Sequence, residues 1–133
     1  MILDSSAVVA ILRAEPEAPT MAIAIDEAEV CRISAVSYLE AAIVIDSGRD
    51  PIASRRFDDF FRESDIVIES VSPWHARIAR EAYRDFGKGR HRAGLNFGDC
   101  FAYALAKEKG EPLLFKGDDF CFTDIEAADS NNP

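Results

Sequence analysis

Apolar residues along the chain follow two rhythms: short runs of three to six, and longer stretches at spacings of three and four. The first run, Met1 to Asp4, predicts a short buried strand. Asp4-Ser5-Ser6 then offers N-cap chemistry for a helix from Ser5 to about Arg13, with Ala7, Val8, Ile11 and Leu12 on one face. A second helix is predicted from about Glu17 to Ala28, a strand over Val30 to Ile33, and a third helix from Ala35 to Ser47, capped by Ser34 and ended by Gly48. Asp50-Pro51 opens a fourth helix, in which Phe57, Phe60 and Phe61 keep the helical period. Asp65 to Ser70 alternates and is rich in β-branched residues, which predicts a strand. Ser72-Pro73 then begins an amphipathic helix with Ile78, Ala79, Ala82, Tyr83 and Phe86 on one side and Arg77, Arg80, Arg84 and Lys88 on the other. The glycine-rich run Gly87 to Asn96 predicts a flexible basic loop, Asn96 caps a helix from Phe97 to about Glu108, and Pro112 to Phe115 forms the last clear strand.

Helices therefore alternate with strands, and no Asn-Gly type hairpin joins consecutive strands. This pattern predicts an α/β domain with a mainly parallel sheet of about five strands and helices on both faces. One domain is expected over residues 1–126, followed by a polar tail over 127–133.

Composition narrows the class. With 133 residues, 48% apolar and 29% charged, the chain suits one compact domain that needs no metal or disulfide to fold. No apolar run approaches the ~18 residues that cross a bilayer, and Asp4 interrupts any secretory h-region, so the expectation is a cytoplasmic protein with no membrane partner. Cys31, Cys100 and Cys121 lack metal-binding spacing and sit among apolar neighbours, which predicts buried free thiols. His75 and His91, each without a second ligand at suitable spacing, are expected to be structural or surface residues. The net charge of −9 repels polyanions overall, but it is segregated: Arg77 to Arg92 contains six Lys or Arg, whereas Asp118 to Asp129 contains five acids and no base.

Candidate chemistry follows from where the acids fall. Open parallel sheets bind ligands beyond the carboxyl ends of their strands. Asp4 ends the first strand, Asp118 and Asp119 follow the last one through Lys116-Gly117, and Asp99 occupies the first turn of the helix before it. On the third helix an apolar stripe is read through Val36, Leu39, Ile43 and Val44, which turns Glu40 inward. Each acid also has an ordinary reading: Asp4 as a helix cap, Asp99 as part of a capping box with Asn96, Glu40 as an edge residue, and Asp118 and Asp119 as turn formers. Gathered at one edge without a base, however, they repel one another and raise one another's pKa, so the group calls for a divalent cation; oxygen-only ligands indicate Mg²⁺ or Mn²⁺. Lys88, Arg90 and Arg92 beside such a centre would track the backbone of a phosphodiester substrate.

Four segments in order carry a family resemblance: Met1-Ile-Leu-Asp4-Ser-Ser-Ala7; Ser37-Tyr-Leu-Glu40; Gly87-Lys-Gly-Arg-His-Arg-Ala-Gly-Leu-Asn-Phe-Gly-Asp-Cys100; and Leu113-Leu-Phe-Lys-Gly-Asp-Asp-Phe120 with Thr123-Asp-Ile125. Together they resemble PIN-domain ribonucleases, specifically the VapC-type toxins of bacterial toxin–antitoxin pairs. The resemblance implies a PIN fold and an acidic quartet that binds Mg²⁺ or Mn²⁺. Asp4, Glu40 and Asp99 carry over by position; Asp118 sits where the family has Asp or Asn, and Asp119 begins the common Asp-Phe step. Ser6 matches a small hydroxyl residue near the first Asp, and Asn96 a polar residue near the site. The resemblance further implies metal-assisted RNA hydrolysis, a cognate antitoxin and a homodimer. Two other readings remain. One is a phospho-accepting receiver domain with Lys116 after the last strand, which needs paired acids after the first strand where only Asp4 stands. The other is a PIN domain used solely as an RNA- or protein-binding module.

Overall fold

A computed structural model of the chain describes residues 1–128. In chain order the elements are β1 (Ile2–Leu3), α1 (Ser5–Leu12), α2 (Ala18–Glu27), β2 (Arg32–Ser34), α3 (Ala35–Asp46), α4 (Pro51–Glu63), β3 (Val67–Glu69), α5 (Pro73–Phe86), α6 (Phe97–Lys109) and β4 (Leu113–Leu114), then a 3₁₀ turn over Asp119–Phe122. The sheet is parallel throughout, in the order β3-β2-β1-β4, with Leu3 opposite both Ile33 and Leu114.

Successive strand residues point to opposite faces, and both faces are covered, so β1 and β4 are apolar and buried at every position. Ile2 and Leu113 pack with α5 and α6. Leu3, Ile33 and Leu114 pack with α1 to α4, where Val8, Met21, Ala41 and Phe57 complete the core. Helix ends follow the predicted chemistry: Asp4, Ser34, Asp50, Ser72 and Asn96 accept backbone N–H bonds as N-caps, and Gly110 leaves α6 with a φ of 63°, a left-handed value that glycine adopts without strain.

Five expectations are corrected. The sheet has four strands rather than about five, because the chain returns beside β4 only as a single bridge, with the Leu113 N–H donating to Glu126 and the Ala128 N–H to Leu113. That bridge also ties Ala127 and Ala128, the first residues of the expected tail, to the domain; the rest of the tail lies outside the described residues. On α3 the buried face is Ser37, Ala41 and Ile45, while Leu39 and Ile43 are 57% and 58% exposed, so the stripe read through them is not the core face. The basic loop is anchored rather than free: Ala93 and Leu95 are buried, Gly87 pairs with Leu95, and His91 packs edge-on against Phe86 while its Nδ1 accepts the Ala93 N–H. Cys31 and Cys100 are buried free thiols as expected, whereas Cys121, on the 3₁₀ turn, is exposed.

Candidate metal centre

One edge of the sheet gathers the acids. Asp4 follows β1 directly, and Asp119 opens the turn reached from β4. Asp99 lies in the first turn of α6, and Glu40 is in the middle of α3.

Asp4 is 3% exposed. Its Oδ2 caps α1, accepting the Ser6 N–H at 3.0 Å and the Ser6 hydroxyl at 2.6 Å. Its Oδ1 is buried without any hydrogen-bond partner among the described residues. Capping thus accounts for one oxygen and leaves the other orphaned, a costly state for a carboxylate. Burial raises the Asp4 pKa, with the Glu40 charge adding to the effect and the Ser6 bonds opposing it.

Asp99 is likewise both a cap and something more. Its Oδ2 accepts the Asn96 N–H at 3.0 Å while Asn96 Oδ1 accepts the Asp99 N–H at 2.9 Å, a complete capping box. Burial nonetheless pushes its carboxyl up to about 7, against the Asn96 backbone bond, and the charges of Asp4, Asp119 and Glu40 push it further in the same direction. Both acids after β4 are exposed, and it is Asp119 whose charge reaches Asp99; Asp118 caps the 3₁₀ turn without a side-chain bond.

Glu40 is half-buried, and the Ser5 hydroxyl donates to its Oε1 at 2.7 Å. Its carboxylate lies against Gly98, where a Cβ would overlap it. Ser5 and Gly98 were not singled out by sequence. The available signal was a glycine in the first turn of a helix, where it lowers helix propensity and so calls for a packing reason.

The basic residue closest in sequence does not neutralise the group. Lys116 donates its backbone N–H to Ser6 Oγ at 2.9 Å, but its ammonium lies 2.8 Å from Glu15 and 3.7 Å from Glu17. Lys88, Arg90 and Arg92 are exposed on the 87–95 connection; the Arg90 guanidinium sits 5.3 Å from the Tyr83 ring and that of Arg92 sits 4.5 Å from the Phe122 ring. Phe122 closes the turn that Asp119 opens, so Arg92 is held at the acidic edge without joining it.

An all-carboxylate donor set with a buried, unpartnered oxygen fits a hard divalent cation. Among the described residues, no three His, Cys, Asp or Glu side chains stand in metal-binding geometry.

A family profile described as PIN domain matches residues 1–126. The chain is 54% identical over 129 residues to ribonuclease VapC28 of Mycobacterium tuberculosis, covering 96% of this chain and 97% of that protein. In fold it is similar to the crystal structure of Mycobacterium tuberculosis VapC20, described as a sarcin-ricin loop cleaving toxin, with a TM-score of 0.74 and 16% identity over 93% of this chain and 95% of the other. It is also similar to a chain of a toxin–antitoxin complex from Klebsiella pneumoniae, with a TM-score of 0.69 and 14% identity over 92% of each chain.

Proposed function

The chain belongs to the PIN-domain family, among the VapC ribonucleases, and from that premise we propose that its acidic edge is the centre of a divalent-metal-dependent endoribonuclease, the toxin of a toxin–antitoxin pair. The observation that carries this reading is the buried Asp4 carboxylate, one oxygen of which has no hydrogen-bond partner among the described residues, with the Glu40 carboxylate packed against Gly98 beside the buried Asp99.

Asp4, Glu40 and Asp99 are the proposed ligands, with Asp119 as the fourth acid in preference to its neighbour Asp118. A bound Mg²⁺ or Mn²⁺ supplies activation of water and neutralisation of charge at the scissile phosphate. Ser6 aims Asp4, Ser5 aims Glu40, and Asn96 fixes Asp99, so each carboxylate is oriented by a neighbour as metal ligands are in general. With the Asp99 carboxyl pushed up to about 7, protons would compete with a cation for it, so occupancy of the centre should fall as pH drops below about 7.

Lys88, Arg90 and Arg92 are the proposed contacts to the RNA backbone, in a chain whose net charge would otherwise repel it. A cognate antitoxin and a homodimer belong to the same proposal, and the solvent-facing Leu39 and Ile43 of α3 supply apolar surface for self-association. The site of action is the cytoplasm; among the described residues no helix is long and apolar enough to cross a membrane. The receiver reading is set aside, since Lys116 is committed to Glu15 and the chain falls in another family.

The test is RNA cleavage by the purified protein with Mg²⁺, Mn²⁺ or a chelator. Asp4→Asn and Asp99→Asn should each lower cleavage by at least about 100-fold while the far-ultraviolet circular dichroism stays unchanged. Cleavage that persists in chelator, or in either variant, would contradict the assignment.

A further inference from the structure

A groove of about 340 Å³ runs between α5 and α6, lined at the start of α6 by Phe97, Cys100 and Phe101. Its lip is Phe97, the first residue of α6 and two positions before Asp99, with 76% of its surface exposed. The Phe97 ring packs on Phe101 at 5.1 Å, Tyr83 forms the facing wall, Ala76 and Ala79 line the floor, and Arg80 is the one charged residue of the lining. Aromatic side chains contribute most to stability when buried, so a phenylalanine held by a partner ring yet turned to solvent beside an active site needs another explanation.

Charge complementarity selects the occupant. Arg80 lines the groove, and the Tyr83 ring of its wall carries the Arg90 guanidinium at 5.3 Å. In a protein of net charge −9, the groove thus pairs two guanidinium groups with flat apolar rings and has no carboxylate in its lining. Unpaired nucleobases on a phosphate backbone require that combination, since aromatic rings stack on bases of any identity while guanidinium groups hold the phosphates. The volume is within the range of small-molecule pockets, roughly 300–1,000 Å³.

We propose that the α5/α6 groove is a base-binding subsite, in which Phe97 and Tyr83 stack on unpaired bases of the RNA flanking the scissile phosphate while Arg80 contacts its backbone. The inference rests on the ribonuclease reading and extends it: Phe97 is a positioning residue that requires the substrate to be single-stranded next to the cut.

The experiment measures the affinity of Asp4→Asn protein, which preserves the RNA, for a short labelled single-stranded oligoribonucleotide and for a duplex of the same length. Phe97→Ala should weaken single-strand binding by about 5- to 100-fold and leave duplex binding unchanged. Phe97→Trp should retain single-strand affinity, which guards against a folding artefact. Replacing one base by an abasic site should weaken binding to the Phe97 protein and add no loss in Phe97→Ala. Equal losses for single strand and duplex, or no loss, would overturn the subsite while metal-dependent cleavage by the wild-type protein left the ribonuclease reading standing. A change of mass in sedimentation on Phe97→Ala would reassign the groove to protein association and also overturn it. Absence of both RNA binding and cleavage in the unsubstituted protein would overturn the ribonuclease reading, and the subsite with it.

Discussion

At the C-terminal end of α6, Glu108 and Glu111, joined by Glu69 from β3, are surrounded by cations. The Met1 ammonium is 2.6 Å and Arg32 3.1 Å from Glu111; Arg32 and Lys109 lie 3.2 and 3.5 Å from Glu69, and Lys109 also lies 3.6 Å from Glu108. At the N-terminal end of the same helix, Asp99 feels the like charges of Asp4, Asp119 and Glu40, and the one lysine of the 115–119 loop, Lys116, is turned away to Glu15. The helix dipole favours acids at the second end and cations at the first, but its effect is too small to decide either arrangement. Partners decide them. Against the burial that pushes Glu111 up, the Met1 ammonium and Arg32 hold its carboxyl below the ordinary range, whereas burial and like charge drive Asp99 up to about 7.

Opposite shifts give opposite pH dependences. A lowered pKa means that the folded state binds fewer protons, so the contribution of Glu111 is present above its ordinary pKa of about 4.3 and is lost as pH falls through its lower folded value. A raised pKa means that the folded state binds more protons, so Asp99 withdraws stability as pH rises from about 4, its ordinary range, to about 7. One end of α6 is built for stability, and the other stores repulsion that the proposed cation would relieve.

The sharpest way to break the contrast is Gly98→Ala. The added Cβ meets the end of the Glu40 side chain, which can swing away, and alanine suits a helix better than glycine, so the fold should survive. Cleavage should nonetheless fall roughly 10- to 100-fold, as when a ligand's orientation is lost. Full activity would show that the close approach of Glu40 to Gly98 is incidental. Replacing Lys88, Arg90 and Arg92 together by Ala tests whether cations near the acidic edge serve the substrate rather than the acids. RNA affinity should lose about two units of salt slope, at ~0.7 per phosphate contact on a single strand, with metal affinity unchanged. An unaltered slope would move the phosphate track to Arg77, Arg80 and Arg84. The smallest effect is expected at the paired end. Glu111→Gln should lower the thermal midpoint by only a few degrees, on the order expected for a partly exposed ion-pair network, and leave cleavage untouched.

Local chemistry was the legible part of the sequence. Caps such as Asp4 and Asn96 and the helical period of α5 mark element boundaries because they act over a few residues. What sequence missed depends on tertiary packing. Leu39 and Ile43 looked like core because an apolar stripe does not say which neighbour covers it, and the fold covers Ser37, Ala41 and Ile45 instead. Glycine content suggested a loose loop at 87–96, but the burial of Ala93 and Leu95 outweighs it. Asp4, Asp118 and Asp119 were singled out by their place after strands and Asp99 by its place in the first turn of a helix, while the preference for Asp119 over Asp118, the Ser5 bond to Glu40 and the space at Gly98 required coordinates.

The central claim, that the acidic edge holds a divalent cation which offsets the repulsion around Asp99, is tested most directly by the thermal midpoint with and without Mn²⁺ at about pH 5 and about pH 7.5, in the wild-type protein and in Asp99→Asn. Mn²⁺ should raise the wild-type midpoint more at the higher pH, where no proton competes for Asp99, and Asp99→Asn should lose most of the shift together with its pH dependence. A wild-type midpoint indifferent to Mn²⁺, or an equal shift in Asp99→Asn at both pH values, would contradict the account.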